Sequence, residues 1–168
     1  NLPGRLMLYV GCKPDERLVR TLTGLPRKQI EHDLKGRFGV CKRLSGATDA
    51  QAMLDEDPGA EQPAYRQKLQ SSAREVGSSG LIKLSHKSRR NRIVLVRPKL
   101  EEWILEAARQ AGVDPGAHGF PNDSNRLHGQ VNANLDKFEN LIYALIEVCS
   151  QNLLELKCLL TRQPRRRR

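Results

Sequence analysis

The sequence predicts an α/β domain: a central, mostly parallel sheet flanked by helices, continued by a helical C-terminal extension. Three patterns lead there. The first two thirds alternate short continuous apolar runs with amphipathic stretches, as parallel strands and their covering helices do. The last third carries apolar residues only at helical spacing. A length of 168 residues suits one domain with its own core.

Leu6-Met7-Leu8-Tyr9-Val10 is apolar throughout, which suits a strand covered on both faces. Gly11 permits a tight turn, and Pro14, Asp15 and Glu16 supply the proline and acids of a helix start, so a helix is expected through about Leu22. Gly24 ends it. Pro26 opens a second short helix, with Ile30 and Leu34 one turn apart. Residues 36–49, rich in Gly, Lys and Arg, give no clear pattern. Ala50 to Leu54 is a small apolar strand that runs directly into Asp55-Glu56-Asp57-Pro58-Gly59.

Tyr65, Leu69, Ala73 and Val76 recur at helical spacing before Gly77-Ser78-Ser79-Gly80 breaks the chain. Leu81 to Ser85 and Ile93 to Val96 read as strands around a basic turn. From Lys99 onward, Leu100, Trp103, Ile104, Ala107, Ala108 and Ala111 share one helical face. After a Gly- and Pro-rich loop over 112–122, Leu127, Val131, Leu135 and Phe138 trace a further helical stripe. Leu141 to Leu160 continues it, with a break near Ser150 and Gln151. The organisation expected is an α/β core over residues 1–111, a helical extension of the same domain over 112–161, and a basic, disordered tail over 162–168.

Composition narrows the functional classes. No apolar run is long enough to span a bilayer, and no signal-like segment opens the chain, so membrane insertion and secretion are not expected. Cys12, Cys41, Cys149 and Cys158 are scattered without a CxxC pair, which fits reduced thiols in a cytoplasmic protein. The 29 Lys and Arg against 19 Asp and Glu give a net charge of +10, and +6 without Arg165 to Arg168. That excess favours a polyanionic partner, nucleic acid above all, since phosphate contacts supply most sequence-independent affinity.

Two features carry chemistry. Asp55 and Asp57, if the strand stays extended, point to the same side and can share a hard cation such as Mg²⁺ or Mn²⁺. Glu101, in the first turn of the helix after a strand, is the third candidate acid; an acid complementing the helix dipole is the plainer reading. The second feature is a run of cations, Lys83 to Lys99, without an acid. Within it His86, Lys87, Arg89, Arg90 and Arg92, together with Lys13 after the first strand, are the candidate phosphate contacts. No GxGxxG or GxxxxGK[ST] supports a dinucleotide or P-loop site, and the four histidines show no metal-ligand spacing with the cysteines.

The strand ending in Asp55-Glu56-Asp57-Pro58-Gly59 and the stretch Pro98-Lys99-Leu100-Glu101-Glu102-Trp103-Ile104-Leu105 together resemble small TOPRIM-type proteins. The second stretch is similar to a segment of RloB-like TOPRIM proteins of bacterial antiviral defence loci, which lie beside ATPases. The resemblance covers about residues 6 to 111. It implies a TOPRIM-like sheet, Mg²⁺-dependent phosphodiester chemistry as a nuclease or phosphotransfer protein, Asp55 and Asp57 as metal ligands, Glu101 as a further acid, and an ATPase partner. In place of the family's glutamate at the end of the first strand stands Gly11; Asp15 or Glu16, on the following helix, are the acids able to replace it. The alternative is a catalytically degenerate module that binds nucleic acid or regulates a partner, and self-association is left open.

Overall fold

The computed structural model describes residues 6–161; the basic tail over 162–168 lies outside them. It is an α/β fold built on one six-stranded mixed sheet in the order β2-β1-β3-β6-β5-β4. The strands are β1 (Leu8–Val10), β2 (Ile30–Glu31), β3 (Gln51–Asp55), β4 (Arg74–Val76), β5 (Leu81–Ser85) and β6 (Arg92–Val96). The first four in spatial order, β2, β1, β3 and β6, are parallel. Antiparallel pairing of β5 with β6 and of β4 with β5 completes the sheet.

Among the described residues seven α-helices cover it: α1 (Lys13–Thr23), α2 (Gly36–Ser45), α3 (Ala64–Ser72), α4 (Leu100–Ala111), α5 (Ser124–Ala133), α6 (Leu135–Glu147) and α7 (Gln151–Thr161). Strand alternation sorts the sheet into two cores. Leu8, Val10, Met53, Val94 and Val96 point to one face, where they meet Leu18 of α1, Trp103 of α4, and Phe138 and Leu156 of α6 and α7. Tyr9, Ala52, Leu54, Ile93 and Leu95 point to the other, against Val40 and Leu44 of α2 and Leu69 of α3. The apolar runs over residues 8–10 of β1 and 52–54 of β3 follow from this double burial.

The C-terminal helices share a core with the α/β part, and Arg17 of α1 fixes them from outside by pairing with Asp136 at 2.9 Å and Glu139 at 2.7 Å. No helix among the described residues is long and apolar enough to cross a membrane. All four cysteines are free.

Several elements differ from the sequence reading. The helix expected from Pro26 is only a 3₁₀ turn, Arg27–Gln29, followed by β2. Ile30 takes an edge-strand position and is buried beside Leu8, which a two-residue pattern cannot distinguish from a helical pair. The unassigned basic stretch forms α2, entered through Lys35 in a left-handed conformation (φ 60°). The helix expected to reach Val76 stops at Ser72, and residues 74–76 turn into the exposed edge strand β4, so Val76 faces solvent rather than the core. In the extension the stripe from Leu127 to Phe138 is divided at Asn134 into α5 and α6.

Candidate acidic site at the sheet's carboxyl edge

The carboxyl ends of β1, β3 and β6 converge on one edge of the sheet, where parallel α/β folds leave a crevice. Asp55 ends β3 level with Val96 of β6. The chain after Val96 turns through a cis Arg97–Pro98 peptide into α4, so the first turn of α4 sits directly over Asp55. Asp55 Oδ1 accepts a hydrogen bond from the Leu100 backbone N–H at 3.1 Å, one of the amides that a helix start leaves free. Trp103 anchors that turn from the core side, donating from Nε1 to the Ser79 carbonyl at 2.7 Å.

Asp15 joins this pair from α1. It is 7% exposed, on the helix face that turns inward with Leu18 and Leu22. Burial first, then the Asp55 and Glu101 carboxylates, push its carboxyl up to about 7, against the pull of hydrogen bonds from the Cys12 side chain and the Gly11 backbone. Burial and the neighbouring Glu101 push Asp55 up to about 6, opposed by the Leu100 amide. Asp15 and Asp55 thus lie in a poorly solvated place, where Asp55 and Glu101 disfavour the ionised form of Asp15 and Glu101 disfavours that of Asp55. The Cys12 thiol beside them is raised as well, by burial first and then by Asp15.

Gly11 has a specific relation to this group. A Cβ placed on it would stand 3.8 Å from Asp15 Oδ2 and 3.9 Å from a Leu54 methyl carbon. The Asp15 carboxylate therefore lies within van der Waals contact of a Cβ at position 11.

Asp57 is held differently. The extended backbone stops at Asp55 and Asp57 has φ 42°, so the same-side strand geometry expected for the two aspartates does not extend to it. Its Oδ2 receives Arg37 Nη2 at 2.5 Å and its Oδ1 lies 3.8 Å from Lys99 Nζ. The hydrogen bond from Arg37 holds its carboxyl below the usual range. Asp57 nonetheless lines the same pocket of about 310 Å³ as Asp55, Glu101, Arg37, Lys99 and His128. Glu101, whose side chain is 11% exposed, reaches His128 Nδ1 at 2.8 Å through Oε1.

Arg37 and His128 escaped the sequence reading. Arg37 sits in the segment that gave no pattern; it lines the pocket, and its Nη1 is buried without a hydrogen-bond partner among the described residues. His128 comes from the extension: Asp123 caps α5 by accepting from Arg126 N–H at 2.9 Å, and one turn beyond Ser124 the helix presents His128 to the cleft. Neither residue has a spacing relation to the acids that sequence alone could reveal.

The basic turn does not join them. Arg92 pairs with Gln51, at the opposite end of β3 from Asp55; four residues of strand separate these levels by about 13 Å. There His86 stacks on Tyr65 and its Nδ1 accepts from the Ser88 and Arg89 amides. Arg89 donates to the Ser45 carbonyl, Arg90 pairs with Asp49 at 2.5 Å and Arg92 with Gln51 Oε1 at 3.3 Å. Lys87 is exposed. Of the predicted phosphate contacts, Lys13 alone stands at the acids' edge of the sheet, two residues before Asp15.

Among the described residues no three His, Cys, Asp or Glu side chains form a ready-made metal cage. The donor set does suit a hard divalent cation: carboxylate oxygens only, with two acids whose ionised forms lack a positive partner at hydrogen-bonding distance. Comparison with models of known families, with curated proteins and with solved structures returns no match for this chain.

Proposed function

We propose that this chain is a Mg²⁺-dependent, TOPRIM-like protein acting on the phosphodiester bonds of nucleic acid, with Asp15, Asp55 and Glu101 as its metal-holding acids. The observation that carries the reading is the position of Asp15. The acid that the TOPRIM resemblance requires at the end of the first strand is absent at Gly11, and the Asp15 carboxylate lies within 4 Å of where a Cβ at that position would stand. The inward convergence of Asp15, Asp55 and Glu101 supports it, since buried like charges are tolerated in function far more readily than for stability.

In this reading Asp15 and Asp55 bind the cation and Glu101, steadied by His128, completes the set or meets it through water. The cation, when bound, supplies Lewis-acid polarisation of a phosphoryl oxygen and a lowered pKa for bound water. Arg37, fixed by Asp57, and Lys99 stand where they would stabilise charge on a phosphate. Asp57 thus acts as a positioning residue for the cations and is a weaker candidate ligand than the DxD pattern implies. An ATPase partner in antiviral defence belongs to the same proposal and rests on the resemblance alone.

The test is calorimetry with Mg²⁺ and Mn²⁺ on the wild type and on Asp15→Asn and Asp55→Ala, beside cleavage of labelled DNA and RNA. Metal binding lost in both variants, with metal-dependent cleavage in the wild type, supports the reading. Strand binding without metal uptake or cleavage overturns it and leaves a nucleic-acid-binding module.

A further inference from the structure

A second concave feature lies beside the acids, over the β2 edge of the sheet. It is a pocket of about 230 Å³ between α1 and the β2 segment. Lys13, Arg17 and Arg20 recur on one face of α1 at helical spacing and form one wall. Arg27 and His32, on either side of β2, form the other, with Ile30 as an apolar floor. His32 follows Glu31, which pairs with Tyr9, so it stands at the carboxyl edge of the sheet, as Lys13 does.

The charges in this pocket are not balanced. Arg17 is engaged by Asp136 and Glu139 outside it. Glu16 is the one carboxylate in the lining, 3.5 Å from Arg20. The side chains of Lys13 and Arg27 have no ion-pair or hydrogen-bond partner among the described residues. Lys13, Arg20 and Arg27 against Glu16 therefore leave an excess of two positive charges, to which His32 adds none, since its Nδ1 lies 3.2 Å from Asp33 Oδ1. A phosphate monoester carries about −1.5 to −2 at neutral pH and offers oxygens to several donors at once.

We propose that this pocket binds a phosphate group of the nucleic-acid strand, at a distance from the phosphodiester that would react at the acidic site. The phosphate chemistry follows from the pocket; that the phosphate belongs to a strand rests on the function proposed above. Lys13 and Asp15 lie two residues apart on the first turn of α1, one turned to each site. A strand crossing the carboxyl edge from β3 to β2 would meet both sites.

The experiment measures anisotropy of 3′-labelled single-stranded oligonucleotides, with 5′-phosphate or 5′-hydroxyl ends, in EDTA over a range of salt. The Lys13→Ala, Arg27→Ala double variant is expected to lose about tenfold in affinity and to lower the log–log salt slope by about 1.4, with Arg27→Lys retaining most of the binding and circular dichroism unchanged. A loss confined to the 5′-phosphorylated strand assigns a terminal phosphate, and an equal loss for both assigns an internal diester; each supports the proposal. Unchanged affinity and slope overturn it, as does binding of inorganic phosphate without strand binding. Because metal is excluded, failure of the acidic centre in calorimetry and failure of this pocket are separate results.

Discussion

His128 Nδ1 lies 2.8 Å from Glu101 Oε1, a polar contact that joins the helical extension to the acidic edge of the α/β core. The histidine is largely exposed while Glu101 is nearly covered, so His128 contributes little packing and acts on how the carboxylate is oriented. His128→Ala should weaken Mg²⁺ binding about tenfold. Calorimetry gives that number, and a melting temperature within about a degree of the wild type separates it from a folding defect.

The buried acids should make stability depend on pH in a defined direction. Asp15 and Asp55 have folded values of about 7 and about 6, raised from 3.8, so between those values and 3.8 the folded protein binds more protons than the unfolded chain. Stability of the metal-free protein therefore falls as pH rises from about 4 to about 7 and then levels. The loss should be of the order of a few kcal/mol. Urea titrations across that range should show it in the wild type and a much flatter profile in Asp15→Asn.

Asp57 and Asp55 should differ as ligands despite being two residues apart. Asp57 is already neutralised by Arg37 at 2.5 Å, whereas Asp55 faces Glu101 and Asp15. Asp55→Ala is expected to abolish measurable Mg²⁺ binding, and Asp57→Ala to reduce affinity by about tenfold or less. Equal losses in calorimetry would return Asp57 to the ligand set.

Asn91 should be a structural hinge point of the basic turn. It is fully buried; its Nδ2 donates to the Leu44 and Ala47 carbonyls and the Tyr65 hydroxyl, and its Oδ1 accepts from Ala50 N–H. Asn91→Ala removes all four bonds and strands buried partners, at a cost of about 2–4 kcal/mol. Chemical denaturation measures it; a loss below 1 kcal/mol would mean that water replaces the side chain.

The sequence by itself determined the fold class, because burial on both faces makes residues 8–10 of β1, 52–54 of β3 and 93–96 of β6 apolar without a break and a one-sided core makes α4 periodic. It also marked Asp55 and Glu101, since acids at a strand end and a helix start are visible as local pattern. Short elements were not legible: β2 and β4 have two and three residues, too few for a period, and exist because neighbouring strands offer them hydrogen bonds. Tertiary structure alone decided which charges meet. Parallel pairing sets Asp55 level with Val96 and the basic turn at the far end of β3, so residues adjacent in a charge count are separated in space. The same packing brings Asp15, Arg37 and His128, from three separate helices, to one edge, because side-chain convergence depends on strand order and helix docking, which spacing along the chain does not encode.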